Sequence, residues 1–373
     1  MSSLEVRPVT RRADLKAFIE LPWSIYQSDP NWIPPIRSSL ATLLTPRKHP
    51  FWKCSERELF LATRGSEPVG RIAAIVDGNY NRYHGERMGA WGFFECTRDP
   101  EVAAALFRAA EGWARSKGMS FFRGPLNPST NYEVGLLVQG FDSPPSLMMP
   151  YNPPYYMELA HFCGFRKEKD LLAYRFTRDY EPPAWVRDMA QKLSQKGDMT
   201  IRHMDPKRFG AEVRLMNRIY MECWAENWGF VPMTDDELEV SAREMAYIFD
   251  PDLGFFLYDG EEAIGVCLIL PDINPLLKRF NGTGGLVALI RKHLHWAEVT
   301  GMRGLMLGVK PAYRQMGAPF VIFDHLMQVL RAKKQFRTLE LGWNLEDNDA
   351  INLLYEEGGG QPYKRYRIYR KEL

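Results

Sequence analysis

"GVKPAYRQMGAPF", residues 308–320, decides how this chain is read, because one glycine there joins two different structural periods. Upstream, "GLMLGV" (304–309) is a short apolar run suited to a buried strand; downstream, residues 318–334 carry Leu, Ile and Val at helical spacing. Gly317 removes the side chain that would keep a ligand away from the turn's amides. The helix then begins with unpaired N–H groups and the positive end of its dipole. Pro319 fits near the first helical position, where its missing N–H costs nothing. The stretch therefore predicts an anion site made from main chain at Gly317 and Ala318, with Arg314 as an added donor. An ordinary glycine turn with a surface arginine is the alternative these residues leave open.

Bulk properties narrow the classes. At 373 residues the chain exceeds the usual reach of one hydrophobic core, and its 45% hydrophobic and 25% charged residues describe a globular protein. A formal charge of +2 is too mild overall to imply a nucleic-acid or membrane partner, for which a concentrated basic face is expected. No apolar run approaches the roughly 18 residues of a membrane span, and "MSSLEVRPVTRRADL" has no apolar signal-peptide core, so a cytoplasmic location is expected. Cysteines 54, 96, 163, 223 and 267 form no CxxC pair and read as reduced thiols. Only His293 and His295 lie close together, without a ligand partner at metal spacing, so no metal site is expected.

The chain is a tandem repeat. "FLATRGSEPVGRIAAIV" (60–76) and "FFLYDGEEAIGVCLIL" (255–270) share the skeleton Gly65-x-Glu67-x-Val69-Gly70 and Gly260-x-Glu262-x-Ile264-Gly265, a strand, a tight turn and a strand. "CGFRKEKDLLAYRF" (163–176) and "GGGQPYKRYRIYRK" (358–371) both follow an amphipathic helix and close on an alternating strand. The expected boundaries are a first domain over 1–178, a linker and connecting helix over 179–198, and a second domain over 199–373. In the second half the patterns predict strands over 200–204, 254–259, 263–270, 304–309, 337–343 and 363–371, with helices near 206–224, 234–248, 318–334 and 348–357. Each half is thus an α/β domain of the α+β type, with a mixed, mainly antiparallel twisted sheet flanked by helices.

This order of elements, with Val309, Pro311, Arg314 and Gly317 in the pattern Val-x-Pro-x-x-Arg-x-x-Gly, resembles the GNAT superfamily of acyl-CoA-dependent acyltransferases. Pro319 departs from the family's Gly or Ala and removes one amide donor. The stretches "LPWSIYQSDPNWIPP", "GPLNPSTNYEVGLLVQGFDSPP" and "YKRYRIYRKEL" make the whole chain similar to a group of bacterial tandem-GNAT proteins. The resemblance implies acetyl-CoA or another acyl-CoA as co-substrate, its pyrophosphate gripped at the turn by Val309, Arg314, Gln315, Gly317 and Ala318, and a small-molecule or peptide acceptor. It implies for "NDAINLLY" that Asn348 belongs to the co-substrate site and that Tyr355 protonates the leaving thiolate. In the first half "CTRDPEV" offers Asp99 and Glu101 where glycine is needed, so only the second half is expected to bind coenzyme A.

The family's usual base, a carboxylate on the strand before the turn, is missing from "GLMLGV". Glu346 ranks first as a substitute because "WNLEDN" lies at the exit of the next strand, ahead of Glu340 and Glu222. The aromatic set Tyr220, Trp224 and Trp228 with Asn227 is a candidate acceptor pocket, or else a sealing surface between the halves. The polar loop around Asn131 and Tyr132 is a weaker candidate. "YKRYRIYRK" offers a basic face to an anion or to solvent. Two other readings stay open: a Fem-type aminoacyltransferase drawing on another acyl donor, and a non-catalytic protein that binds coenzyme A or another anion. The oligomeric state is not legible.

Overall fold

The computed structural model describes residues 3–195 and 199–373, and of Leu286 and Leu289 the backbone alone. The first half runs β1 (Leu4–Pro8), α1 (Arg12–Ile25), α2 (Arg37–Leu43), β2 (Ser55–Arg64), β3 (Glu67–Asp77), α3 (Gly78–His84) and β4 (Met88–Cys96). It continues with α4 (Pro100–Ser116), β5 (Phe121–Gly124), β6 (Leu126–Asn127), β7 (Glu133–Val134), β8 (Leu136–Gln139), α5 (Tyr156–Phe162) and β9 (Arg166–Thr177). The second half contains α6 (Ala184–Gln195), β10 (Met199–His203), α7 (Phe209–Trp224), α8 (Asp235–Ala246), β11 (Gly254–Asp259) and β12 (Glu262–Pro271). After these come α9 (Asn274–Phe280), α10 (Leu286–His295), β13 (Gly301–Val309), α11 (Ala318–Ala332), β14 (Thr338–Leu345), α12 (Asp349–Glu357) and β15 (Gln361–Glu372).

The repeated hairpins form as their sequences require. Gly65 (φ 60°) and Gly260 (φ 55°) take the left-handed conformation in two-residue turns that pair Arg64 with Glu67 and Asp259 with Glu262. In the first unit the strands lie in the order β1-β2-β3-β4-β5, antiparallel except for the parallel β4–β5 pair. Trp91, Phe94, Phe107, Phe122, Phe165 and Tyr156 build its core between the sheet, α4 and α5. In the second unit the order is β10-β11-β12-β13-β14, again with one parallel pair, β13–β14. There α11 buries Ala318, Val321, Ile322, Phe323, Leu326, Met327, Val329 and Leu330, the i, i+3, i+4 stripe that its sequence spells out.

The compact units are not the contiguous ranges expected from sequence. One consists of Met1–Leu171, Asn274–Leu294 and Lys364–Leu373, the other of Leu172–Ile273 and His295–Tyr363. The first unit's β5 is paired by the C-terminal end of β15, Tyr369 opposite Gly124. Charge complementarity holds that strand: Asp170 accepts from Arg365 (3.1 Å) and Arg367 (2.7 and 2.9 Å), and Lys371 reaches Glu111 (2.6 Å). Burial acts to raise the Asp170 pKa, but the hydrogen bonds from Arg367 and Arg365 overcome it and hold the carboxyl low. On this strand the basic face of "YKRYRIYRK" is therefore occupied by internal ion pairs. Tyr366, Ile368 and Tyr369 fill the core.

Candidate active site

The decisive turn forms in the second unit. After β13 the chain makes a 3-10 turn over Pro311–Met316, Gly317 adopts φ 85°, and α11 starts at Ala318 with Pro319 in its first positions and no acidic residue in its first turn. A Cβ on Gly317 would lie 2.6 Å from the Leu193 Cδ1 of α6, so a side chain here meets a left-handed backbone and must push a Leu193 methyl aside. Arg314 differs from expectation in where it points. Its Nε donates to the Val309 carbonyl (3.1 Å) and a terminal nitrogen donates to the Cys223 carbonyl (2.7 Å). The reason is geometric: those carbonyls end β13 and α7, and the guanidinium fork ties both to the turn. Gln315 beside it is exposed.

Next to the turn, the parallel pair opens. β13 and β14 pair only from Gly301–Gly304 against Thr338–Leu341, after which the strands part. The β12–β13 register also shifts between Leu268 and Ile269, which pair with Met306 and Gly304 and leave Leu305 as the extra residue of a bulge. Beyond Gly304, the edge of β13 facing β14 carries main-chain groups that no described strand of this unit pairs. Such groups are ready-made donors and acceptors for an extended ligand.

Tyr220 and Trp224 are brought to this place. The Trp224 indole lies against Gly308, where a Cβ would come within 2.2 Å of its ring, and Tyr220 lies tilted at 5.0 Å from Trp224 and 5.3 Å from Phe230. Burial raises the Tyr220 pKa. Asn227 and Trp228 follow in the turn after α7, where the Asn227 main chain bonds Trp224 and Phe230; both side chains are half-buried. Lys310 bridges Glu222 (3.1 Å) and Glu262 (2.9 Å), and these carboxylates outweigh burial to hold its pKa up. Glu222 is thereby engaged in an ion pair. A shallow cleft of about 380 Å³ beside it, lined by Arg218, Glu222, Tyr258, Glu262 and Lys310, lies on the hairpin side of α7 and holds neither Glu346 nor Tyr355.

Tyr355 is buried in the second unit's core, stacked at 5.9 Å on Phe323 and edge-on to Tyr174 (5.3 Å) and Phe176 (5.8 Å). Burial, reinforced by Cys267 and Tyr174, raises its pKa strongly. Strand alternation separates it from the aromatic set. Gly308 pairs with Val266 and faces Trp224, whereas Cys267, one residue on, faces the Tyr355 side. Asn348 occupies the residue before α12 without a side-chain cap bond, and Glu346 sits half-buried where β14 ends. Glu340 is buried 3.7 Å from Arg303 and accepts from Tyr363, inside the paired part of the strands. That leaves Glu346 as the carboxylate at the open end.

Asn131 and Tyr132 belong to the first unit, where Asn131 N–H donates to Ser129 (3.3 Å) and the Tyr132 ring meets His49 (5.8 Å) and Phe51 (6.1 Å). That unit holds a carboxylate whose signal was present in "GFFEC": Glu95 lies on the strand before the turn, as the family pattern asks. It accepts from Tyr26 (3.0 Å) and Tyr156 (2.7 Å), with Arg71 at 3.6 Å; burial raises its pKa, against the pull of Arg71. The first unit's strands also part after Met88–Ala90 against Phe121–Arg123, but its own chain fills the gap. Asn127 Oδ1 accepts from Phe93 N–H (2.6 Å), and a Cβ on Gly92 would meet the Leu126 carbonyl at 1.8 Å. The turn is closed as well, since Asp99 caps α4 by accepting from Glu101 and Val102 N–H and pairs with Arg64 (2.5 Å).

No family model matches the sequence. The fold is nonetheless that of tandem GNAT proteins. A GCN5-related N-acetyltransferase from Sphaerobacter thermophilus superposes with a TM-score of 0.56 at 14% identity, over 99% of this chain and 95% of that one. The tandem GNAT protein from the clavulanic acid biosynthesis pathway gives 0.54 at 15% identity, over 99% and 98%. The chain itself belongs to the family of two full-length relatives. It is 34% identical over 383 residues to a bacterial ceramide synthase of Caulobacter vibrioides, covering 100% of this chain and 98% of the relative. It is 34% identical over 380 residues to protein YghO of Escherichia coli, covering 99% and 95%.

Proposed function

We propose that this protein is an acyl-CoA-dependent N-acyltransferase whose second unit binds the acyl-CoA and whose acceptor is the amine of a long-chain amino alcohol. The observation that carries the donor side is the open β13–β14 gap, which runs into the Gly317 turn and an α11 start free of acidic side chains. The turn offers a pyrophosphate the amides and dipole end of α11, with no carboxylate in the first turn to repel it. The acceptor class is carried over from the ceramide synthase relative, since a ceramide is an amide of a fatty acid and a long-chain base.

Acyl-CoA supplies an activated acyl group, and the chain's residues do the rest. Main-chain N–H groups of β13 beyond the bulge polarise the acyl carbonyl. Glu346 takes the proton from the attacking amine as the C–N bond forms. The sulfur leaves as the C–S bond breaks and takes the proton that Glu346 has accepted; Tyr355, the expected donor, is sealed among Phe323, Tyr174 and Phe176, where burial makes its hydroxyl a weaker acid. Trp224 and Tyr220 wall the approach with apolar surface. The test is to offer the protein a saturated long-chain acyl-CoA or acetyl-CoA together with sphinganine, and to follow thiol release and the product mass. Long-chain amide formed only with both substrates is the expected result. Acetyl transfer to small amines with no reaction on sphinganine would overturn the acceptor proposed here.

A further inference from the structure

The mild overall charge conceals one concentrated basic segment. Between residues 274 and 295 the chain carries Lys278, Arg279, Arg291 and Lys292 and no Asp or Glu. Its first part is anchored on the first unit: Asn274 donates to the Pro145 carbonyl (2.7 Å), Trp23 Nε1 donates to Asn281 (2.7 Å), and Arg37 N–H donates to the Gly282 carbonyl (3.1 Å). Its second part, α10, turns an apolar stripe outward. Val287, Ile290 and Leu294 are 46%, 53% and 73% exposed although they repeat at the i, i+3, i+7 spacing that normally faces a core. At 3.6 residues per turn they span an arc of about 60°, with exposed Arg291 about 40° from its edge.

We infer that α10 is a membrane-surface docking helix for anionic phospholipid. Long apolar side chains side by side on an exposed helix, flanked only by cations within the segment, match an interface where acyl chains lie beside negative headgroups. A partner protein core would accept the stripe but has no need of the cation beside it. The helix does not span the bilayer; it lies in the interface plane, held by the anchored α9 and loop. The inference adds to the acylation reading a place where a long-chain amine is dissolved, and its own support is the helix alone.

The experiment is co-sedimentation of the full chain with vesicles of phosphatidylcholine alone and of phosphatidylcholine mixed with phosphatidylglycerol. Wild type should sediment with the mixed vesicles and stay in solution with the neutral ones, less so as salt is raised. Arg291→Gln should lower the partition coefficient roughly fivefold, and Ile290→Ser with Leu294→Ser by roughly tenfold or more. Wild type that ignores mixed vesicles overturns the inference. So does a double variant that binds as well as wild type, or one whose main change is the loss of a dimer in size-exclusion chromatography. Vesicle binding without acylation would leave the docking helix standing and remove the proposed reaction; acylation of detergent-dispersed sphinganine without vesicle binding would do the reverse.

Discussion

At the same place in the repeat, the second unit has Gly317 and the first has Asp99, and the two residues put the same strand-turn-helix element to opposite uses. Gly317 puts no side-chain cap on the start of α11, whereas Asp99 fills the start of α4 with the chain's own carboxylate, tied to Arg64. The gaps beside them differ in the same sense. Leu126 and Asn127 plug the first, and no described strand enters the second. The carboxylates run the other way, since the first unit keeps Glu95 on the strand before the turn and the second has none there. A repeat can thus lose its ligand site by satisfying it internally, at no cost to the fold.

The sharpest way to break this comparison is to ask which carboxylate does the chemistry. Glu346→Gln should lower kcat by roughly a hundredfold to ten-thousandfold while leaving acyl-CoA affinity intact. Glu95→Gln, which can still accept from Tyr26 and Tyr156, should change kcat by less than about twofold. A large kcat loss in Glu95→Gln with normal coenzyme A binding would assign the base to the first unit and undo the division of roles. Next in size is the turn itself. Gly317→Glu should weaken coenzyme A binding by roughly a hundredfold in calorimetric titration, because it places like charge against the pyrophosphate. Gly317→Asn, which tolerates the left-handed backbone, controls for strain and should keep most of the affinity. The matching change in the first unit, Asp99→Ala, should cost about 1 kcal/mol of stability and leave coenzyme A binding alone. Equal losses in Gly317→Glu and Gly317→Asn would trace the effect to strain.

Local features were the ones legible in the sequence. The hairpins at Gly65 and Gly260, the α11 stripe and the left-handed glycine that joins β13 to α11 each follow from a handful of neighbouring residues, and the structure has all of them. What depended on distant partners was not legible. β9 and β15 carry the same alternation, so nothing local says that Tyr369 pairs with Gly124; the choice rests on Asp170 meeting Arg365 and Arg367 almost 200 positions away. Arg314 looked like a phosphate ligand because its carbonyl partner at Cys223 lies on another helix. The loop holding Asn127 read as a site or a surface, whereas its side chain occupies the first unit's gap, a fact set by a single contact to Phe93. For α10 the pattern was present, but a helix inside an insertion shows which way it faces only once folded.

The smallest expected effect compares what the two equivalent helices bury. On α4, Glu111 is buried against Lys371 (2.6 Å) and Arg115 (3.4 Å). On α11, the His325 Nε2 is buried without a hydrogen-bond partner, with the ring 4.7 Å from Phe255 and 5.3 Å from His203. Burial, aided by His203, lowers the His325 pKa from 6.5 to about 4. The folded state therefore binds this proton less readily than the unfolded chain does. Stability from the neutral ring is complete above about pH 6.5 and falls as the pH drops toward 4. Discounted for the solvent that reaches the ring, the loss is roughly 1 kcal/mol, or a few degrees in Tm. His325→Phe keeps the ring shape and removes the titration, so the gap in Tm between the variant and wild type should shift in the variant's favour between pH 7.5 and pH 5. A gap that stays constant over that range would mean that water or a rotated ring satisfies His325, and that α11 is as well paired internally as α4.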